Sequence, residues 1–300
     1  MAAARNRLTE LLDGAFMARL DALDIRSRRI LRGGAHGERR SKRRGQSVEF
    51  ADHRQYAPGD DIRFLDWNIY GRLDRFFLKV FLEEQDLSLH ILLDASASVG
   101  FGDPPKRLLL RRLAAALAYI GLARNNRVTV ATFADGLRAR LSGMRGRAYL
   151  PALADLLLTA PDEGFSDFGK ACRQLAQDRL GSGITVVLSD FLFKEGYERG
   201  FAALLSDRYD LCAVQVLSPQ ERAPDLAGDL KLVDAEDGDA SEITATAALL
   251  ARYRRTLDAY VGGLSAYLTR RGAAHLLADS SQPVDRLVLT SLRNARIVGA

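Results

Sequence analysis

The stretch Ile91-Leu92-Leu93-Asp94-Ala95-Ser96-Ala97-Ser98 sets an Asp and two Ser at alternate positions directly after an apolar run. Side chains alternate between two faces along an extended strand end, so Asp94, Ser96 and Ser98 are expected on one side of the loop. One carboxylate and two hydroxyls are hard oxygen ligands, suited to Mg²⁺ or Mn²⁺ rather than to zinc or copper. Asp and Ser also build ordinary turns and helix caps. A second acid favours the metal reading: Ile184–Leu188 is another pure apolar run, and it ends at Ser189-Asp190.

The elements that must position these residues are legible downstream of residue 87. Continuous apolar segments are expected as strands at Leu87–Leu93, Val128–Phe133, Ile184–Leu188 and Leu211–Leu217, with shorter strands at Leu137–Leu141 and Ala273–Leu277. Amphipathic spacing predicts helices at about 106–125, 147–158, 168–180, 196–206, 245–271 and 283–294. Apolar strands alternating with such helices indicate a doubly wound, mostly parallel α/β sheet covered on both faces, Rossmann-like in build. Ligands of these sheets sit at the carboxyl ends of the strands, where Asp94 and Asp190 both fall. Upstream, residues 7–31 have helical spacing up to Gly33-Gly34, and residues 73–83 alternate like a strand. Trp67, the single tryptophan, is expected as a buried anchor of the charged, aromatic segment before the sheet.

The chain has 300 residues, 47% hydrophobic and 27% charged, with a net charge of +5. This is the composition of a globular protein with ample core. It has no apolar run of membrane-spanning length and no secretory leader, and Cys172 and Cys212 match no metal spacing, so a cytoplasmic protein with reduced thiols is expected. Charge is uneven: residues 1–50 hold twelve Lys/Arg against six Asp/Glu, and residues 225–242 hold seven Asp/Glu and one Lys. The run Arg39-Arg40-Ser41-Lys42-Arg43-Arg44 could meet nucleic acid or an acidic protein face. No nucleic-acid reader motif accompanies it, so a docking loop is the preferred reading.

The residues also resemble a known family. Asp94-Ala95-Ser96-Ala97-Ser98 is similar to the metal-ion-dependent adhesion site of von Willebrand factor type A domains. Ser47-Val48-Glu49-Phe50, Tyr56-Ala57-Pro58-Gly59-Asp60-Asp61-Ile62-Arg63-Phe64-Leu65-Asp66-Trp67 and Leu73-Asp74-Arg75 resemble the signature of the bacterial family called domain of unknown function 58, which precedes a type A domain. The resemblance implies a third ligand loop at Gly164-Phe165-Ser166-Asp167, with Ser166 where the family usually has Thr. It implies a Mg²⁺ (or Mn²⁺) site of Asp94, Ser96, Ser98, Ser166 and Asp190, the hydroxyls touching the metal and the Asp residues acting through water. It also implies a partnership with AAA+ ATPases of MoxR type and their clients, in assembling or activating protein complexes, with no catalytic activity established.

Other chemistries fit less well. Asp60, Asp61, Arg63 and Asp66 could do acid–base work, but no nucleophile accompanies them and His53 reads as isolated, so an ion-paired clamp is expected. No phosphate-binding glycine loop occurs, and Ala95-Ser96-Ala97 is not a nucleophile elbow. The enzymatic alternative is a Mg-dependent phosphoester hydrolase using Asp94, which would want a second Asp where Ser96 stands. Asp167 is read as a helix cap. The expected organisation is an N-terminal helix (1–34), a basic loop and signature segment (35–86) and a von Willebrand factor type A-like domain (87–300), acting as a metal-dependent binding protein rather than an enzyme.

Overall fold

The computed structural model describes residues 2–27, 49–82, 87–178, 181, 183–205 and 209–299. They divide into two compact units, residues 1–28 with 87–300 and residues 29–86. The basic run Arg39–Arg44 lies outside the described residues. In chain order the strands are β1 (Asp24–Ile25), β2 (Glu49–Gln55), β3 (Phe77–Leu82), β4 (Ser88–Asp94), β5 (Arg127–Phe133), β6 (Leu137–Met144), β7 (Gly183–Ser189), β8 (Tyr209–Leu217), β9 (Gly228–Val233), β10 (Ala240–Ala245), β11 (Ala274–Asp279) and β12 (Val298–Gly299).

The larger unit is built on a mixed α/β sheet of order β11-β8-β7-β4-β5-β6, parallel throughout except for β6. Every residue of β4 and of β7 is buried, as unbroken apolar runs require when helices cover both faces. Alternate residues feed opposite cores. Leu89, Ile91 and Leu93 join Leu110, Leu113 and Leu117 on one face, while Leu92, Phe133 and Val187 join Phe168, Phe201 and Leu264 on the other. The chain runs outward from β4 through β5 and β6, then returns to β7, β8 and β11 on the other side. The switch point therefore lies at β4, with Leu93 in register with Leu188 of β7. That is where such a sheet opens a crevice.

The helix Lys106–Ala123 lies deepest in this unit, with Leu110 and Leu113 to Ala118 all buried. Its approach to the sheet is close enough that a Cβ on Gly121 would stand 2.7 Å from Cγ2 of Val128. The single helix expected over 7–31 is instead two, Ala2–Leu11 and Gly14–Leu20, followed by β1. Asp13 causes the break: its carboxylate accepts the Phe16 N–H at 2.7 Å and starts a new helix. Leu8, Leu11, Leu12, Phe16 and Leu20 still bury into the main core, and β1 pairs with β12.

Other departures are local. The acidic stretch forms the antiparallel hairpin β9–β10 rather than a loop. Residues 147–149 form a 3₁₀ turn before the helix Leu150–Thr159, and the last expected helix is Val284–Arg286 running into a π-helical Leu287–Leu292. Among the described residues, no helix is long and apolar enough to cross a membrane.

In the smaller unit β2 pairs antiparallel with β3, and the helix Trp67–Leu73 precedes β3. The strand expected over 73–83 begins only at Phe77, because Asp74, at φ 51°, closes that helix in the left-handed region. The carboxylates are engaged locally. Asp60 accepts from Ala57 N at 2.8 Å and Arg54 at 2.6 Å, and Asp61 accepts from the Arg63 guanidinium at 2.6 Å. Asp66 caps the helix through Asn68 N at 2.9 Å and meets His53 Nε2 at 3.0 Å, so His53 is not isolated. Trp67 is 63% exposed, which overturns its reading as a buried anchor. Among the described residues of this unit, Leu65 and Leu78 are buried and face each other across a β-bridge. Trp67 instead makes an edge contact with Tyr70, 6.1 Å between ring centres.

Two outcomes are expected. Trp67→Ala should change unfolding free energy by less than about 1 kcal/mol, as surface substitutions do; a loss of several kcal/mol in urea titration would restore the buried anchor. His90, buried in β4 with Nε2 3.2 Å from Gly181 O, has its pKa pushed down to about 4 by burial. Its folded pKa lies below the unfolded value, so the neutral ring's contribution is complete above about pH 6.5 and is lost as pH falls toward 4, amounting to about 3 kcal/mol. His90→Gln should therefore flatten the fall in stability between pH 6.5 and 4.5, and an unchanged slope would clear His90 of that role.

Candidate metal centre

The site is assembled from the ends of two neighbouring parallel strands. Asp94 closes β4, and its Oδ1 accepts from Ser96 N at 3.0 Å and Ser96 Oγ at 2.8 Å. Ser96 Oγ lies 3.0 Å from Ser98 Oγ. Asp94 Oδ2 accepts from Ser189 Oγ, the last residue of β7, at 2.6 Å. Ser189 Oγ in turn accepts from Phe191 N at 2.9 Å, and Asp190 Oδ1 accepts from Leu192 N at 3.0 Å. Phe191, buried at φ 56°, holds a left-handed conformation that is costly for a bulky residue. Side chains from two other elements hold this turn: Gln215 Nε2 donates to Asp190 O at 2.8 Å, and Tyr260 Oη donates to Phe191 O at 2.6 Å. Such strain persists only where the surroundings over-determine the conformation.

The third loop is stitched to the first by backbone bonds. Glu163 N donates to Ala95 O at 3.1 Å, and Ala97 N donates to Gly164 O at 3.0 Å. These tie the loop that carries Ser166, two residues beyond Gly164, to the Asp94–Ser98 loop. The Ser166 hydroxyl oxygen is buried without a hydrogen-bond partner, while the Ser166 N–H donates to Glu236 Oε2 at 2.9 Å. Asp167 caps the helix Phe168–Gln177 by accepting from Lys170 N at 2.7 Å, as expected. All five expected residues thus gather at one end of the sheet. Asp94, Ser96 and Ser98 are bonded in series, Asp190 follows the Ser189 that bonds Asp94, and Ser166 is brought in by its loop.

Lys106, which carries no sequence signal for the site, is 1% exposed. Its Nζ donates to Asp190 Oδ2 at 2.6 Å and to Glu221. Glu221 is held in turn by a capping box with Ser218. Burial alone would lower the lysine pKa, but the charges of Asp190 and Glu221 outweigh it and the ammonium is held above its ordinary range. Asp94 is shifted the other way. Burial, then the charge of Asp190, push its carboxyl up to about 7 against the opposing hydrogen bonds from Ser189 and Ser96. Two carboxylates, Asp190 and Glu221, therefore share the ammonium, and Asp94 has hydroxyl and amide donors only.

The donor set fits a hard divalent cation. The unpartnered Ser166 hydroxyl and the electrostatically uncompensated Asp94 are groups such an ion would satisfy, although Lys106 already takes one oxygen of Asp190. Among the described residues, no group of three or more His, Cys, Asp and Glu side chains is arranged to hold a metal. A site here would depend on hydroxyls.

Comparison with known proteins agrees with the signature segment: residues 52–260 match the family described as protein of unknown function DUF58. The chain belongs to this family. An uncharacterised protein of Mycobacterium tuberculosis is 28% identical over 254 residues, covering 83% of this chain and 80% of the relative, and one of Mycobacterium bovis matches to the same extent. Among solved structures, BatB from Bacteroides thetaiotaomicron is similar with a TM-score of 0.45 at 13% identity, covering 69% of this chain and 98% of that one. An aerotolerance-related membrane protein from Bacteroides fragilis gives 0.44 at 16% identity, covering 69% and 99%. The SpRpn10 VWA domain gives 0.41 at 14% identity, covering 67% and 93%.

For this DUF58 chain the Asp94 shift sets a testable sign. The folded pKa of about 7 lies above the ordinary value of 3.8. Ionising Asp94 therefore costs stability as pH rises from about 4 to 7, up to about 4 kcal/mol, and the full cost remains above pH 7. A cation at the site would offset it. Mg²⁺ should raise the melting temperature more at pH 8 than at pH 5.5. In chelator at pH 8, Asp94→Asn should melt higher than wild type and ignore added Mg²⁺. A Mg²⁺ response independent of pH, or one retained in Asp94→Asn, would move the metal elsewhere.

Proposed function

We propose that this DUF58 chain is a cytoplasmic, metal-dependent protein-binding adaptor rather than an enzyme. It works with an AAA+ ATPase of MoxR type, and that ATPase's client, in assembling or activating other protein complexes. The observation that carries the reading is the gathering of Asp94, Ser96, Ser98 and Asp190 at the sheet's switch point, beside a Ser166 hydroxyl buried without a partner. Ser96, Ser98 and Ser166 would hold Mg²⁺ (or Mn²⁺) directly, with Asp94 and Asp190 behind them. When bound, the metal supplies an open coordination position for a partner's carboxylate. The chain's own residues prepare that encounter. Ser96 and Ser189 fix the Asp94 carboxylate, and Lys106 holds Asp190 in place. Phe101, Phe165 and Leu192, exposed on the loops that carry Ser98, Ser166 and Asp190, offer apolar contact around the polar centre.

Binding is favoured over hydrolysis by the same bonds. Ser96 Oγ is paired with a carboxylate and another hydroxyl, not with an imidazole base. Both oxygens of Asp94 accept hydrogen bonds, so a phosphoester hydrolase using Asp94 as nucleophile would have to break them first. The basic run Arg39–Arg44 would add a steering contact to an acidic partner face.

The test is affinity capture from native lysate with the wild-type chain and Asp94→Ala, in Mg²⁺ and in chelator. An AAA+ ATPase retained only by wild type in Mg²⁺ is the expected result. Equal retention in chelator would sink the metal dependence, and phosphate release from a simple phosphoester, abolished in Asp94→Asn, would replace the adaptor with the hydrolase.

A further inference from the structure

The hairpin β9–β10 is the least embedded part of the larger unit: all of its twelve strand positions except Leu230, Ile243 and Ala245 are exposed. Even Leu232 and Val233 face solvent. Its tip, Asp234-Ala235-Glu236-Asp237-Gly238-Asp239, is nevertheless held against the strand-end loops at two points. Lys194, four residues beyond Asp190, meets Asp234 at 3.0 Å and also pairs with Asp237. Glu236 reaches the third loop and accepts the Ser166 N–H through Oε2 at 2.9 Å. The tip is shaped for this reach. Asp234 Oδ1 accepts from Glu236 N at 2.8 Å, and Asp237 Oδ1 accepts from Asp239 N at 3.0 Å, so the turn is closed by its own carboxylates.

An exposed arm thus delivers one carboxylate to the residue whose hydroxyl is buried without a partner. Ion pairs as exposed as those of Lys194 contribute little individually, so the arm is held weakly enough to open. We propose that Glu236 is a self-ligand: the hairpin lays an internal carboxylate where a partner's Asp or Glu would bind, and must lift before the partner enters. The proposal rests on the adaptor reading, since it takes the site to be one for carboxylates. A built-in competitor lowers apparent affinity by the fraction of molecules in which the arm is closed. It would restrict docking to a partner that also engages the arm or is locally concentrated.

The test uses the full chain as wild type, Glu236→Gln and Lys194→Ser, with a labelled peptide of residues 228–245 added in trans as the carboxylate probe. Mg²⁺ binding to each protein is measured in parallel by calorimetry. Both variants should take up the peptide at least tenfold more tightly than wild type. Uptake should require Mg²⁺ and disappear when the peptide carries Gln in place of its single residue equivalent to Glu236. Hydrogen exchange at the Ser166 amide should quicken in both variants. Equal peptide uptake by all three proteins, or none by any, overturns the self-ligand. If Mg²⁺ still binds in that case, the metal reading stands and only the latch fails. If none of the proteins binds Mg²⁺, both readings fall together.

Discussion

The fold around the strand ends depends on one buried ion triad, Lys106 with Asp190 and Glu221. An ammonium removed from water must be paired and hydrogen-bonded, because an isolated one would simply lose its proton. Here the requirement ties three distant segments together: the head of the helix Lys106–Ala123, the turn after β7, and the short helix Pro219–Arg222 after β8. A cation in the first turn of a helix opposes the helix dipole, so the position of Lys106 is unfavourable unless carboxylates face it. Glu221 is fixed by the Ser218 capping box and Asp190 by the Leu192 amide. Both acids facing the lysine are therefore oriented by bonds of their own.

That triad also explains why Asp94 is difficult to ionise. Lys106 is spent on Asp190 and Glu221, which leaves Asp94 with hydroxyl and amide donors only. Hydrogen bonds lower the cost of its charge but do not neutralise it. In a dry pocket beside Asp190 the remaining cost raises its pKa. A proton relieves that excess, and a divalent cation bound there would compete with it for one carboxylate. The strained Phe191 turn belongs to the same arrangement. Gln215 and Tyr260 hold it so that Ser189 turns toward Asp94 while Asp190 turns toward Lys106.

What the sequence revealed and what it hid divide along physical lines. The parallel sheet was legible because β4 and β7 are buried on both faces and read as unbroken apolar runs. Asp94 and Asp190 were legible because each directly follows such a run. Lys106 was not, since a lysine after Pro104-Pro105 reads as a solvated first helical turn, and its partners lie 84 and 115 residues away. Ser189 was overlooked beside the more conspicuous Asp190, although its alternation along β7 separates it from Asp190 by one face. The hairpin β9–β10 was hidden by its exposure: without a buried face, Gly228–Ala245 has no apolar period to read. The split of the first helix turned on a single capping carboxylate at Asp13.

The signature segment shows how composition can reveal ion pairs and still misplace the aromatic beside them. A dense set of Asp beside Trp67 reads as an ion-paired clamp with Trp67 as its anchor; the ion pairs are present, but Trp67 is exposed. Asp60, Asp61 and Asp66 are each committed to a backbone N–H and a nearby basic side chain, which is how a short unit closes turns without a large core. Large apolar side chains also face outward here, Ile62, Phe64, Trp67, Leu73 and Phe76, among the exposed Arg54, Arg63, Arg72 and Arg75. Tyr70 stacks on Phe76 at 4.5 Å and meets Trp67 edge-on, so this aromatic surface is ordered by ring contacts as well as by the turns beneath it. The acids of the signature hold its shape, and the surface it presents combines aromatic rings with exposed arginines.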